Sequence, residues 1–565
     1  MRRGLLLLCL TAACAPTSRP AEPTAPPASF TTISVVATTD LHGRVQALSW
    51  LSGHLQILRE LRRADRGGVL LVDAGDMWQG TLESNLSEGQ AVVRAYNTLG
   101  YDAVAIGNHE FDFGPVGPST VPRTDADNPT GVIEARAREA RFPFLAANLR
   151  TRDGRAWTPP NIRPSTVVTV AGVEIGLIGV TTTTTPGATD PRNLVRLQVR
   201  PLLETIVPEA ERLRQQGATA IVVLAHAGGR CNTFVDPDDL GNCTAQSEVF
   251  QLARALPPGL VDVIAAGHSH QAIAHRVNGV VIVQAFNEGR AFSRADLIVD
   301  TRSGRVRTVH ISPPQLVCNG RTSQDIDSWA ADTCRPAPYE SRTVRYDDRV
   351  ATALRADIAR AQARREQLLG VTVTTRYWHS SREESPASNL VVDLLRAATP
   401  GADVAVYNAS GTRADLRPGP VTYGDMYELV PFDSVTATAS LTAGTLADAL
   451  ARGLGRGTAP MLSGLEATAR CEAGTVRVVL LREGRPMPPE TRLSVVTTEF
   501  LASGGAGVFE QMQDAFTLQL DRPMREVIIG AVPREAARIV SGLVGGYDTA
   551  RPRLRLPGPL PLRCP

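Results

Sequence analysis

The chain has 565 residues and no lysine; all 59 of its basic residues are arginine. Uniform replacement of this kind reads as genomic composition bias. It still has a chemical consequence, because arginine offers phosphate a planar guanidinium fork where lysine would offer a point charge. A formal net charge of +2 gives no footing for nucleic acid or an anionic surface as partner. No apolar run is long enough to span a membrane; the best, residues 4–10, is far short of it. Aromatics make up 5% of the chain, and no internal repeat is visible. The eight cysteines all stand outside the polar clusters described next, which argues against a closed structural zinc site.

What is present is a recurring design. The apolar residues 102–106 read as a short buried strand, and Gly107, Asn108, His109, Glu110, Phe111 and Asp112 follow it. Gly107 is expected to let the chain turn sharply off the sheet. An amide, an imidazole and two carboxylates in so short a stretch have no use in an apolar core, where polar groups without partners cost free energy. Taken alone, the stretch reads equally well as a polar surface turn.

The same pattern recurs at four other places. Residues 33–39 lead to Asp40 and His42, and residues 69–72 lead to Asp73 and Asp76. Residues 221–224 lead to His226, and residues 261–265 lead to Gly267, His268 and His270. Ligands of α/β proteins gather at the carboxyl ends of strands, so these tips can face one cavity. Imidazole, carboxylate and amide oxygen together suit zinc or other divalent first-row metals.

This ordered set, D-x-H, G-D, G-N-H-E-x-D, H and G-H-x-H, resembles the calcineurin-like metallophosphoesterases. More narrowly, it is similar to the bacterial 5′-nucleotidase and UDP-sugar hydrolase family. The resemblance implies a four-layer α/β/β/α catalytic domain and a C-terminal α/β domain that selects substrate. It implies two divalent ions, zinc, manganese or similar. Asp40, His42 and His270 would hold one; Asn108, His226 and His268 would hold the other; Asp76 would bridge them. Relatives with Gln or Asn in place of His270 leave imidazole a competent alternative. His109 would stabilise phosphoryl charge or protonate the leaving oxygen, and Asp112 would orient it. Glu110 and Asp73 read as structural.

In the second domain the resemblance assigns Phe432 and Phe500 to stacking on a nucleobase, and Asn408 and Arg413 to an N-x-G-G-x-R motif in which Ser410 replaces a glycine. Arg413 would be a phosphate fork. As core aromatics the two phenylalanines would need no ligand. Two departures bear on the substrate. The family's G-G-D-G is Gly504, Gly505, Ala506 and Gly507 here, without the carboxylate that grips sugar hydroxyls. The R-x-x-E-S-x-x-G-N-L pattern becomes Arg382, Glu383, Glu384, Ser385 and then Asn389 and Leu390, with its arginine displaced and a glycine replaced.

The expected organisation is a leader at 1–14, a Pro- and Ala-rich tether at 15–30, a catalytic domain at 31–340 and a linking helix at 341–370. A substrate domain at 371–556 and a surface-wrapping tail at 557–565 complete it. The linking helix should start at Asp347 or Asp348, carry Val350, Leu354, Ile358, Ala361 and Leu368 on one stripe, and stop at Gly370. Ser87 and Gln90 suggest a capping box for a helix ending at Gly100. Residues 119–129 and the stretch around Cys231 and Cys243 read as surface loops. Excluding Cys9 and Cys14 leaves six cysteines, which in an exported protein favour disulfides. Proximity suggests Cys231–Cys243 and Cys318–Cys334, leaving Cys471 with Cys564, out of fifteen pairings.

The expected protein is a periplasmic or cell-surface monomer with no nucleic-acid partner, touching a membrane only through a lipid on Cys14. Its expected reaction is hydrolysis of 5′-nucleotides to nucleoside and phosphate, extending in this family to 2′,3′-cyclic nucleotides or UDP-sugars. A thiosulfohydrolase of sulfur oxidation is the alternative enzyme, and a non-catalytic metal- or nucleotide-binding lipoprotein the alternative class. Ala12, Ala13 and Cys14 resemble a lipobox with its Leu one place early, at Leu10. Intact mass of membrane-extracted protein should therefore include acyl chains on Cys14; a mature chain without acyl mass removes the anchor.

Overall fold

A computed structural model of the chain describes residues 30–117, 119–319, 334–432 and 434–564. The leader, Cys14 and nearly all of the tether lie outside the described residues. The first strands are buried on both faces over most of their length, and this decides the architecture. Residues 33, 35, 70 and 72 turn one face to the partner sheet, while Val36 and Leu71 turn the other to helices. A strand with no polar face must be covered on both sides.

Two sheets satisfy that demand. The first has seven strands in the order Arg305–Leu316, Ala291–Asp300, Phe30–Thr38, Gly68–Asp73, Ala103–Ala105, Phe144–Leu145, Ile162–Arg163. The second has six, in the order Ala272–Val277, Val280–Ala285, Val263–Ala266, Ala220–His226, Val173–Thr181, Ser165–Val170. Between them lies an apolar layer that includes Ile33, Val35, Leu70, Val72, Leu177, Val222 and Leu224. Helices Leu48–Ala64 and Gln90–Leu99 cover the outer face of the first sheet, and Leu202–Gln215 and Glu248–Ala255 that of the second. The result is four layers, α/β/β/α.

Strands Phe30–Thr38, Gly68–Asp73 and Ala103–Ala105 run parallel, with Thr38 opposite Asp73 and Asp73 opposite Val104. Ala220–His226 and Val263–Ala266 are parallel in the second sheet, Ala225 opposite Ala266. All five carboxyl ends therefore come out along one edge of the sandwich.

The helix Asp348–Arg365 leaves this domain with Asp347 as its cap, the Asp347 carboxylate accepting from Arg349 N. It is shorter than expected. Residues 368–373 form a strand paired with Gly419–Thr422, so Gly370 lies within a strand and Leu368 is 66% exposed. Val350, Leu354 and Ala361 are buried as the stripe requires. At about 1.5 Å per residue the helix spans roughly 27 Å. Arg94 pairs with Asp357 at 2.9 Å and Glu83 with Arg365 at 2.9 Å, fastening it to the first domain.

The second domain is built on a five-stranded sheet in the order Pro460–Ser463, Val404–Asn408, Arg492–Thr498, Val435–Thr442, Thr517–Pro523. Helices Pro386–Ala397 and Ala443–Arg456 pack on it. The tail does more than wrap, since Leu562 is buried and its N donates to Leu454 O at 3.0 Å, and just before it Leu554–Arg555 pairs with Ala467 and Thr468. Disulfides join Cys231–Cys243, Cys318–Cys334 and Cys471–Cys564. The capping box at Ser87 does not form. Gly89 is the N-cap of Gln90–Leu99, and Ser87 Oγ accepts from Ala91 N at 3.2 Å. No helix among the described residues is long and apolar enough to cross a membrane.

The two sheets press together at Gly179, where an added Cβ would lie 2.3 Å from Leu145 Cβ and 2.4 Å from its carbonyl oxygen. Gly179→Ala should therefore lower stability by about 1–3 kcal/mol through overpacking, measured as the unfolding midpoint. An unchanged midpoint would mean that the sheets have slack there.

Candidate metal centre

The five strand ends deliver Asp40, His42, Asp76, Asn108, His226, His268 and His270 to one place. One ligand atom from each of Asp40, His42 and His270 lies within 4.8 Å of the others, and the same holds for Asp76, His226 and His268. Asn108 Oδ1 is 3.1 Å from His226 Nε2, which is also 3.0 Å from Asp76 Oδ2. His42 Nε2 stands 3.0 Å from His270 Nε2, and His270 Nε2 is 3.6 Å from Asp40 Oδ1.

The local backbone explains how such short segments aim so many side chains inward. Asp40, His42, Asp76, His268 and His270 all have positive φ, between 49° and 75°. For non-glycine residues this conformation costs free energy and persists only where the surroundings over-determine it. They do so here. Asp40 N donates to Gly75 O at 2.9 Å and His42 N to Asp76 O at 3.1 Å, lacing the first two loops together. Glu110, wholly buried, accepts from Asp76 N, Met77 N and Gly107 N at 2.9, 2.7 and 2.6 Å, which is the structural role expected of it. Gly107 differs from expectation. It lacks a positive φ, and its small size matters because a Cβ would lie 2.2 Å from Asp76 Oδ1.

The donor chemistry fits a bound cation. His226 Nδ1 donates to Ala74 O at 2.9 Å, which turns the other ring nitrogen toward the oxygens of Asp76 and Asn108. His42 Nδ1 likewise faces Gln79 O at 2.8 Å, leaving Nε2 inward. Burial pushes His42 well below its ordinary range, helped by His270 and His109, and lowers His268 and His270 to about 4. Burial lifts Asp40 to about 7. Burial would also lift Asp76, but His226 and His109 outweigh it and hold that carboxyl well below its usual value. His226 is the counterpart: burial opposes its charge, and Asp76 prevails, raising it to about 9. Neutral imidazoles and two carboxylates converging without enough protons to satisfy them is what a divalent ion requires.

Beside this set lies a dyad. His109 Nδ1 is 2.5 Å from Asp112 Oδ2, and the His109 ring centre is 5.2 Å from that of His42. Burial works against a charged His109, but Asp112 and Asp76 overcome it and lift the group to about 10. Several contributors escape a reading of the sequence. Thr189 Oγ1 donates to Asp112 Oδ1 at 2.7 Å across a gap of 77 residues, with no local signal. Asn287 Nδ2 is 3.2 Å from His270 Nδ1, and Glu288 N donates to Asp40 O at 2.7 Å. Those two had a signal: they follow Val280–Ala285, a further apolar run ending in polar residues.

The residues expected to meet substrate lie in the second domain. Arg413 carries its guanidinium 5.1 Å from the Phe432 ring centre. Asn408 ends its strand and donates from Nδ2 to Ser410 Oγ at 2.9 Å. Phe500 is 42% exposed at the start of the helix Glu499–Ala502. A third cluster, Cys231, Cys243 and His275, offers no free thiolate, because its sulfurs are joined in a disulfide.

Loading a cation onto this centre requires lone pairs that are protonated without it. At pH 7 His226, at about 9, holds a proton and Asp40, at about 7, holds one about half the time. Titrating divalent metal into metal-free protein at pH 7 should therefore release roughly one to two protons per chain, and affinity should rise with pH up to about 9. Calorimetry in buffers of unequal ionisation enthalpy measures this; binding without proton release would contradict the arrangement.

The profile of the calcineurin-like phosphoesterase family matches residues 33–272, and that of the 5′-nucleotidase C-terminal domain matches residues 358–514. Protein UshA of Salmonella pullorum is 25% identical over 542 residues, covering 90% of this chain and 91% of its own. Endonuclease YhcR of Bacillus subtilis is 25% identical over 80% of this chain, which spans only 34% of that longer protein. In fold, the 5′-nucleotidase precursor of Thermus thermophilus superposes with a TM-score of 0.66 at 23% identity, covering 93% of this chain and 99% of its own. Two matched domains in this order, around a site of this composition, place the chain among the calcineurin-like phosphoesterases that carry a C-terminal 5′-nucleotidase domain, a family of hydrolases.

Proposed function

We propose that this protein is an exported 5′-nucleotidase that hydrolyses nucleotides to nucleoside and phosphate with two divalent ions. The observation that carries this reading is the His109–Asp112 dyad, set 5.2 Å from His42 beside a complete set of oxygen and nitrogen donors. Binding alone needs no such dyad, which counts against a non-catalytic lipoprotein. Asp40, His42 and His270 would hold one ion and Asn108, His226 and His268 the other, with Asp76 between them. When bound, a pair of divalent cations supplies Lewis acidity and charge neutralisation for in-line attack of water on phosphorus.

The chain's own residues do the rest. His109 keeps its proton well above neutral pH, so it can donate to a phosphoryl oxygen or to the departing ribose oxygen. Asp112 holds the imidazole from behind, and Thr189 holds Asp112. Arg413 has no lysine competitor for the phosphate and is steadied against Phe432. Phe500, exposed at a helix start, is suited to stack on a base, with Asn408 nearby in the same domain. Three disulfides fit an oxidising compartment.

One observation favours a second reading. Ala506 stands where a carboxylate would grip ribose hydroxyls, in a backbone with φ 55°. A thiosulfohydrolase-like substrate therefore belongs in the test. Phosphate release from AMP, UMP, 2′,3′-cyclic nucleotides and UDP-glucose, and hydrolysis of a sulfur-carrier thiosulfonate mimic, should be measured with Mn²⁺ or Zn²⁺ and with EDTA. Turnover of the nucleotides, abolished by EDTA, is the expected outcome. His109→Ala should retain metal and lose about 10²–10⁴-fold in kcat; unchanged turnover would remove His109 from the mechanism.

A further inference from the structure

The segment 188–193 touches more of the centre than its sequence suggests. Ala188 O accepts from Asn108 Nδ2 at 3.2 Å, and Thr189 Oγ1 donates to Asp112 at 2.7 Å. Asn193 Nδ2 donates to Phe111 O at 2.7 Å. Three hydrogen bonds thus grip the 108–112 turn along its length. Between them stands Arg192. Asp190 caps the short helix Pro191–Leu194 and accepts from Arg192 N, Nε and Nη2 at 2.9, 3.1 and 2.8 Å, so the guanidinium has one orientation. The same Nη2 contacts the Glu499 carboxylate of the second domain. Glu499 is the first residue of the helix Glu499–Ala502, immediately before Phe500, and its other oxygen accepts from Val435 N at 3.4 Å.

We propose that Arg192 is a positioning residue through which the docked second domain sets the geometry of the His109–Asp112 dyad. The inference rests on the phosphoesterase reading above. Exposed ion pairs contribute little, but these partners are not exposed. The side chain of Glu499 is 5% accessible, that of Asp190 15% and that of Arg192 28%. Removing the guanidinium leaves a buried carboxylate without its counter-ion, so the contact makes docking of the two domains a discrete state. Thr189 is the residue next to Asp190, so a shift of this segment passes directly to Asp112. Misplacement by about 1 Å can cost two orders of magnitude in rate. The ion pairs Arg94–Asp357 and Glu83–Arg365 fasten the linking helix and leave this segment alone, and the exposed hydrogen bond from Arg123 to Leu520 O reaches the second domain from the neighbouring loop.

Leaving-group dependence separates this role from a structural one. A nucleoside 5′-oxygen needs a proton to depart, whereas p-nitrophenolate does not. Arg192→Ala, Glu499→Gln and the double variant should be compared with Thr189→Val on AMP and on p-nitrophenyl phosphate, alongside metal content and the unfolding midpoint. Each of the four is expected to lose roughly tenfold in kcat on AMP and much less on the aryl ester. The double variant should lose no more than the worse single, because both changes break one contact. Equal losses on the two esters, losses confined to KM, or additive losses would overturn the proposal. So would unchanged kcat in a wild type that hydrolyses AMP. A wild type inactive toward both esters would sink the phosphoesterase reading, and this one with it.

Discussion

Two carboxylates with almost no access to water, Asp40 and Asp76, impose the condition that the rest of this molecule meets. Buried anions are tolerated only when something opposes their charge. His226 does so for Asp76 from 3.0 Å, while Asp40 is left raised toward neutrality by its burial. Four imidazoles surround the pair, and three of them are lowered from their ordinary range, His42 deepest, while His270 keeps 42% of its side chain accessible. The arrangement is frustrated as protein alone and resolved by divalent charge. Backbone strain follows from it, of order 1–3 kcal/mol for each residue forced to positive φ. Five of the seven converging residues are in that state, an outlay that only a scaffold of two fully covered sheets could sustain.

Around the centre, residues with no direct chemistry carry the geometry. Glu110 uses both carboxylate oxygens on three backbone amides, tying the Asp76 loop to the Asn108 turn. Asp73 performs a similar task one layer deeper, accepting from Thr38, Gly75 and Tyr96 at 2.5, 2.8 and 2.8 Å. These carboxylates act as rigid acceptors, and their burial suits that use because no solvent competes for the amides.

Two of the joints between the second domain and this frame differ in kind. The helix Asp348–Arg365 is a mechanical joint, seated by arginine–carboxylate pairs against the helices that cover the first sheet. Arg192 and Glu499 instead meet between the loop that steadies Asp112 and the helix that carries Phe500. The loop behind Asp112 and the helix that begins at Glu499 are therefore one contact apart, although more than three hundred residues separate them in the chain.

Much of this was legible in the chain alone. The apolar runs ending in Asp, Asn and His and the ordered motifs are properties of short segments; the four-layer class followed from the family those motifs resemble, and the cysteine pairs from proximity, with Cys471 and Cys564, 93 residues apart, left over. Each such segment states its own strand and its own polar tip, so the sequence by itself determined which side chains would gather and the chemistry they share. It misjudged the linking helix at Leu368, where pairing with Gly419–Thr422 won over the apolar stripe, and it took Gly107 for a turn when the residue is needed for space. Only the tertiary structure decided that Thr189 backs Asp112 and that Arg192 reaches across to Glu499. Such contacts join residues tens to hundreds of positions apart without periodicity or composition to mark them. Their energy comes from burial and alignment, which exist only after the sheets have closed.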